Sequence, residues 1–348
     1  MTLTELSYDV RKMAPFAVLF VLIILIFFYA IKLLFVYVDT QKVPVTHFDP
    51  IFNKINTPVV KDATSSAGIH FTLDTIEGQP VTATESAYVY LLPSATANFG
   101  FREKIYLMAK TLGFDTEVVR NTLDGTTAEF NDGVQKLTID ITNFNYTYDY
   151  DIRKEATPAA FIRPSSPEDA QSKATDFLRR VERYPEELSR GKTNLIYLWY
   201  DQVSGTMNVV DSIENANMVE VDFYRPDIIS YPIVSSQYFN SQNYVVLGYT
   251  ESGFRIVRAQ VHFYEKSEDR VGIYPVKTGD QAWNDLITGN GIIISKQAAQ
   301  DVVIKKMFFA YLDPGEYQQY LEPVYVFLGE NNFVAYVPAI SSTYLIQE

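Results

Sequence analysis

The stretch EPVYVFLGENNFVAYVPAI, residues 322–340, decides how the rest of the chain is read. Two apolar, aromatic-rich runs, Val324–Leu328 and Phe333–Val337, flank Gly329-Glu330-Asn331-Asn332. Residues of this kind favour strands, and the four between them suit a turn, so the stretch predicts a β-hairpin. It carries no obvious reactive group. Just upstream, TGDQAWNDLITGNG (278–291) predicts a short helix. Thr278 and Gln281 have capping-box spacing and Gly289 can stop the helix. VVIKKMFFAYL (302–312) then reads as a further strand.

The same helix-then-strands order occurs twice more. In NFGFREKIYLMAKTLGF, the apolar residues Phe101, Ile105, Met108, Ala109 and Leu112 lie on one helical face, and Gly113 follows as a stop. The identical spacing returns with Ala170, Ala174, Phe177, Leu178 and Val181. Here Ser166 suits the N-cap, Pro167 the first helical position, and Glu168 and Asp169 the first turn, with Pro185 limiting the helix. Alternating strands follow each helix. In QKLTIDITNFNYTYDYDI the phase changes, which predicts a bulge or a break near Asn143. RKEATPAAFIRPSSPED (153–169), with its charges, prolines and serines, marks a boundary. The expectation is an α+β fold of antiparallel sheets each packed by short helices, built from degenerate repeats of unequal length.

The N-terminus reads differently. MAPFAVLFVLIILIFFYAI, residues 13–31, has no charge and predicts a membrane-spanning helix over 13–38. Arg11 and Lys12 precede it, Lys32 can reach the headgroups, and Tyr37 suits the interface. The compact Arg-Lys pair on a short tail predicts an inside N-terminus and an extracytoplasmic bulk. The expected divisions are a cytoplasmic tail 1–12, the span 13–38, a stalk 39–70, α+β modules 71–155 and 156–276, and a helix–hairpin module 277–348 packed with the second.

Composition narrows the function classes. The chain has 25 Tyr and 23 Phe, in keeping with abundant strands. It has no Cys, which excludes disulfides, thiol catalysis, iron–sulfur clusters and Cys-ligated zinc. Net charge is −13; residues 1–42 carry +1, so the remainder carries −14 and would repel a nucleic-acid backbone. His47, His70 and His262 are scattered and lack zinc-site spacing. There is no Gly-x-Ser-x-Gly, no phosphate-binding loop and no dinucleotide fingerprint, and no motif requires a cofactor or metal. VSGT (203–206) reads as a hairpin turn and EFNDGVQ (129–135) as a turn. Asp149 and Asp151 share a strand face about 7 Å apart, a spacing open to an acid/base or calcium role but expected of a solvated acidic face. Tyr146, Tyr148 and Tyr150 form a row that either packs or offers a stacking surface for a glycan or peptide. Trp199 and Trp283 are expected to be packed.

YPVKTGDQAWNDLITGNG (274–291) and FFAYLDPGEYQQYLEPVYVFLGENNFVAYVPAI (308–340) resemble PepSY-type modules. They are also similar to the membrane-anchored accessory proteins that regulate the cell-wall histidine kinase of Gram-positive bacteria. The features carrying this are the short helix with Ala282-Trp283, the Leu286-to-Gly289 end, and the Pro-Val-aromatic strand with its aromatic return. The match spans residues 274–340. It implies an extracytoplasmic α+β module that binds or restrains a protein without catalysis, and it transfers no catalytic residue. The expected function is a single-pass membrane protein acting as a regulator or assembly factor, touching lipid through its helix and a protein partner in the envelope. Two alternatives stay open: a structural component of an envelope or secretion assembly, and a carboxylate-based envelope hydrolase.

Overall fold

The computed structural model describes residues 20–34, 48–97, 99–154, 160–295 and 300–346. The chain divides into two units, Met1–His47 and Phe48–Glu348. In the first, helix α1 covers 20–34, and each of its residues is exposed. Among the described residues no helix is long and apolar enough to cross a membrane. Lys32 lies in α1; the tail 1–12, both ends of the expected span, Arg11, Lys12, Tyr37 and His47 lie outside the described residues.

In the second unit, β1 (Ile55–Asn56), β2 (Thr64–Ser65), β3 (His70–Leu73) and β4 (Ser86–Leu91) precede α2 (Phe101–Thr111). Then come β5 (Thr122–Asp124), β6 (Thr127–Asn131), β7 (Gln135–Asp140) and β8 (Tyr146–Tyr150). Helices α3 (Pro167–Arg180) and α4 (Glu186–Ser189) lead to β9 (Thr193–Asp201), β10 (Thr206–Val210) and β11 (Met218–Phe223). β12 (Ile233–Ser235), β13 (Asn243–Thr250), β14 (Gly253–Val261) and β15 (Val271–Pro275) follow. Helix α5 (Gly279–Asp285) runs into a π turn, and β16 (Ile292–Ile293), β17 (Asp301–Asp313), β18 (Tyr320–Gly329), β19 (Val334–Pro338) and β20 (Leu345–Ile346) complete the fold.

The described residues are mainly strands with a few short helices, an α+β architecture. Sheet one has the order β10-β9-β11-β13-β14-β8-β7-β6-β5, and all its pairings are antiparallel. The two helices of identical apolar spacing pack into one core with this sheet: Ile105 and Met108 of α2 and Phe177 and Leu178 of α3 are all buried there. Ser166 Oγ caps α3 by accepting from Asp169 N at 3.1 Å. The break expected near Asn143 is a tight connection between β7 and β8, with Phe144 at φ 60°. The opposite face is covered in part by Phe161, which approaches so closely that a Cβ on Gly248 would lie 2.4 Å from its ring.

Sheet two runs β12-β17-β18-β19-β16-β2, with β3 on β17 and β4 joining β18 to β15. The expected hairpin is β18–β19, and the capping box of Thr278 and Gln281 starts α5. This sheet is not wholly antiparallel: β3 and β12 both pair with β17 in parallel. The expected modules 71–155 and 156–276 do not follow the sheets. Both contribute strands to sheet one, joined by β8–β14, while β4 and β15 belong with the C-terminal hairpin. The expected stalk is also part of the fold from Phe48 onward. Asp49 exchanges two backbone hydrogen bonds with Ile273, β1 pairs with β20, and β2 pairs with β16.

Arg225 locks the sheets together. Its side chain is fully buried just after β11, pairs with Asp313 at the end of β17 at 2.7 Å, and pairs with Glu187 of α4 at 2.9 Å. It lies 3.8 Å from the Phe263 ring centroid and also donates to Tyr264 O.

Candidate functional site

Between the polar face of sheet one and the start of β18 lies a cavity of about 520 Å³. Four distant stretches form it. Gln242, Gln260 and His262 come from sheet one and its margin, Ser236 and Gln237 from the loop after β12, residues 315–320 and Glu322 from the β17–β18 connection and the start of β18, and residues 56, 57 and 59–62 from the lead-in. The lead-in forms a strap. Gln318 Oε1 accepts from Val59 N at 3.1 Å, Gln318 Nε2 donates to Val59 O at 2.5 Å, and Lys61 pairs with Glu316 at 2.8 Å. Val60 packs on the same apolar face of sheet two as Leu312 and Val324.

His262 stands one residue beyond β14. Its Nδ1 lies 3.0 Å from Gly315 O and its Nε2 3.4 Å from Thr147 Oγ1. A carbonyl only accepts, so Nδ1 carries the proton and Nε2 accepts from Thr147. Burial lowers the pKa of the ring, which is therefore neutral at neutral pH. Both nitrogens are engaged within the protein.

Glu322 is 3 % exposed and its Oε2 has no hydrogen-bond partner. It opposes Leu312 across β17–β18, a position flanked by apolar neighbours. Burial pushes its carboxyl well above the usual carboxylate range, so it is a neutral acid. Gln242 is equally buried. Its Nε2 donates to Asp313 Oδ2 at 2.6 Å, and its Oε1 has no partner. Both unpartnered atoms are shielded from water and lie behind the cavity wall.

A second acidic pair lies on β11. Glu220 and Asp222 share the polar face of sheet one beneath the 238–241 loop. Asn240 donates to Glu220, and Tyr224 and Ser241 N donate to Asp222. Burial, followed by the charge of Glu220, pushes Asp222 up to about 7. Asp222 is completely buried, out of reach of a substrate.

The residues singled out by sequence are dispersed. Asp149 pairs with Arg258 at 3.0 Å and Asp151 with Arg153 at 3.0 Å, both on solvated surface. Tyr146 and Tyr148 point into the helix-side core, where their rings are unavailable for stacking; Tyr150 is half-buried, with Arg255 4.8 Å from its ring. His70 is exposed on β3. Trp283 packs on Phe71 and Phe327. Trp199, expected to be packed, is about half exposed, because it stands beside the β9–β10 turn at the margin of sheet one. Among the described residues no group of three His, Asp or Glu could hold a metal ion. Sequence reasoning missed Glu322, Gln242 and Gln318. The available signal for the first was a single acidic residue at the head of a continuous apolar run.

No family model and no curated protein matches the chain. Among solved structures it is similar to the crystal structure of an uncharacterized protein from Eubacterium rectale, at 13 % identity and a TM-score of 0.32. That alignment covers 83 % of this chain and 92 % of the other. It is also similar to the C-terminal domain of Bacillus megaterium YpeB, at 12 % identity and a TM-score of 0.24, covering 72 % of this chain and 95 % of that domain. Both scores lie below the level at which a shared fold follows.

Proposed function

We propose that the protein is a non-catalytic, membrane-anchored binding protein of the cell envelope, acting as a regulator or assembly factor through contact with another protein. The observation that carries this reading is the strapped cavity. Its lining includes the neutral side chains of Gln237, Gln242, Gln260 and Glu322, while the one histidine present has both nitrogens engaged. Such a site suits recognition better than bond cleavage. The PepSY resemblance of residues 274–340 supports the same reading. Anchoring is supported by the uncharged run 13–31, whose described part in α1 is apolar and exposed on all sides.

The test is crosslinking of the full chain in cells, with a photoreactive residue at Val59, followed by mass spectrometry. Stoichiometric capture of one envelope protein is expected; capture of only lipid or cell-wall fragments would overturn the reading. Because the natural chain has no Cys, Val203→Cys at a 97 % exposed turn reports orientation. An impermeant thiol reagent added to intact cells is expected to label it, and labelling only after lysis would reverse the orientation.

A further inference from the structure

Sheet one ends in two edges of different make. β5, at one side, has three residues, one of them Asp124. β10, at the other, has five: Thr206, Met207, Asn208, Val209 and Val210. An edge strand turns every second N–H and C=O outward, and proteins ordinarily guard such a row with lysines, prolines, bulges or a covering segment. β10 has no charged residue and no proline, and its register with β9 runs without a bulge. Among the described residues no backbone group pairs with it from the outer side. None of its residues is buried; Val209 is 73 % exposed and Val203, in the turn before it, 97 %. An edge left open in this way accepts another strand.

The residues of β10 decide which strand fits. The chain carries a net charge of −13, so two copies repel over most of their surface, and β10 is a stretch without charge. Antiparallel pairing of two β10 strands about a two-fold axis through Asn208 sets Asn208 opposite its own copy, Met207 opposite Val209, and Thr206 opposite Val210. No like charges meet: one step further, Asp211 falls opposite Gly205. The faces agree as well. Met207 stands beside Tyr200 and Val209 beside Leu198 on β9. Leu198, Tyr200 and Met207 belong to the core on the Phe161 side of the sheet. Two-fold pairing carries that core across the edge, with Leu198 and Val209 continued by the partner's Met207 and the partner's Tyr200. Any uncharged strand finds the same hydrogen bonds, but a second copy also brings the matching apolar row.

We propose that β10 is a self-association edge, at which two chains join their first sheets by antiparallel β10–β10 pairing centred on Asn208. No residue of β9 or β10 lines the strapped cavity, so this surface is separate from that site. Five residue pairs cover far less than the roughly 1,600 Å² of a standard interface, so the dimer is a weak one.

The experiment uses the full chain in detergent micelles, and its lack of Cys allows single-Cys variants. A Cys at position 208 faces its own copy at roughly 5 Å between Cβ atoms, close enough for a disulfide after a small shift. Under mild oxidation Asn208→Cys is expected to form a covalent dimer about tenfold faster than Val203→Cys, at the turn away from the axis, or Leu123→Cys, on the β5 edge. Met207→Cys and Val209→Cys are expected to cross-link with each other, when mixed, faster than either does with itself. That order reports the register and needs no disruptive variant. In sedimentation equilibrium, Val209→Lys is expected to weaken association by about tenfold or more with an unchanged melting temperature, and Val209→Thr to stay within about threefold. Equal cross-linking at 203 and 208, association that survives Val209→Lys (as pairing through α1 would), or a strictly monomeric chain would each overturn the proposal. So would a photoreactive residue at 208 that captures another protein in cells and no second copy.

Discussion

Sheet one and sheet two each have nine strands among the described residues, yet water reaches them differently. At one margin of sheet one, β10 has no buried residue and β9 only Leu198 and Tyr200, and elsewhere on the sheet Asp149 and Arg258 pair on open surface. In sheet two, β19 is buried throughout and β18 for nearly all its length. A charged side chain at the margin of sheet one can turn to solvent, whereas along the buried length of β18, or at the buried end of β17, it needs a partner or must give up its charge. Asp313 takes the first course with Arg225, and Glu322 takes the second. The cost of a polar residue is therefore set by where in a sheet it stands: β11 and β13 of sheet one are as buried as β18, while β17 of sheet two exposes Lys305 and Lys306.

The largest expected effect breaks the buried pair. Arg225→Met strands Asp313 without its cation, leaves Glu187 only Lys266 at 3.9 Å, and should lower the unfolding free energy by about 4 kcal/mol in urea titration. A loss as small as that of a surface pair would show that the interior of sheet two is wetter than its burial implies.

Next is a group of intermediate character, Asp222, buried in the interior of sheet one. Its folded pKa is raised to about 7, so the native state holds this proton more tightly than the unfolded chain does. The contribution is favourable at low pH, declines as pH rises from about 4 toward 7, and stays unfavourable above that. Asp222→Asn should therefore stabilise at pH 8 by on the order of 3 kcal/mol and have little effect at pH 4, read from melting curves at the two pH values. An equal effect at both would mean that its hydrogen bonds outweigh its ionisation.

The smallest effect belongs to the solvated pair. Asp149→Ala should change stability by less than about 0.5 kcal/mol, by urea titration in moderate salt. A larger loss would place this surface in contact with something that shields it.

What could be read from the sequence was local. The cap at Ser166, the capping box of Thr278 and Gln281, the stop at Gly113 and the hairpin around Gly329 each depend on a few adjacent residues. Pairings between distant segments could not be read this way. Nothing near Tyr146 specifies that it lies opposite Val261, or that the two helix-and-strand blocks merge into one sheet. Strand periodicity put the tyrosines of β8 on one face but could not say whether that face was wet. The cavity was illegible for the same reason: its walls come from residues near 59, 242, 262 and 318. Arg225 and Glu322 sit at strand margins, where a charge ordinarily signals the end of a strand and exposure to water.

The way the lead-in is fastened has a mechanical consequence. From Phe48 onward its attachments come in series along the chain: Asp49 to Ile273, Ile55 and Asn56 to β20, and then Val59 and Lys61 to Gln318 and Glu316. Tension applied from the N-terminal side loads these fastenings one after another, so the strap at the cavity is shielded until the two clips before it have let go. The β1–β20 clip is parallel, so a pull on the N-terminal end of β1 against the C-terminal end of β20 shears its few hydrogen bonds together. The wall beside Glu322 would thus stay shut under slack and under small loads, and would open only above a threshold force.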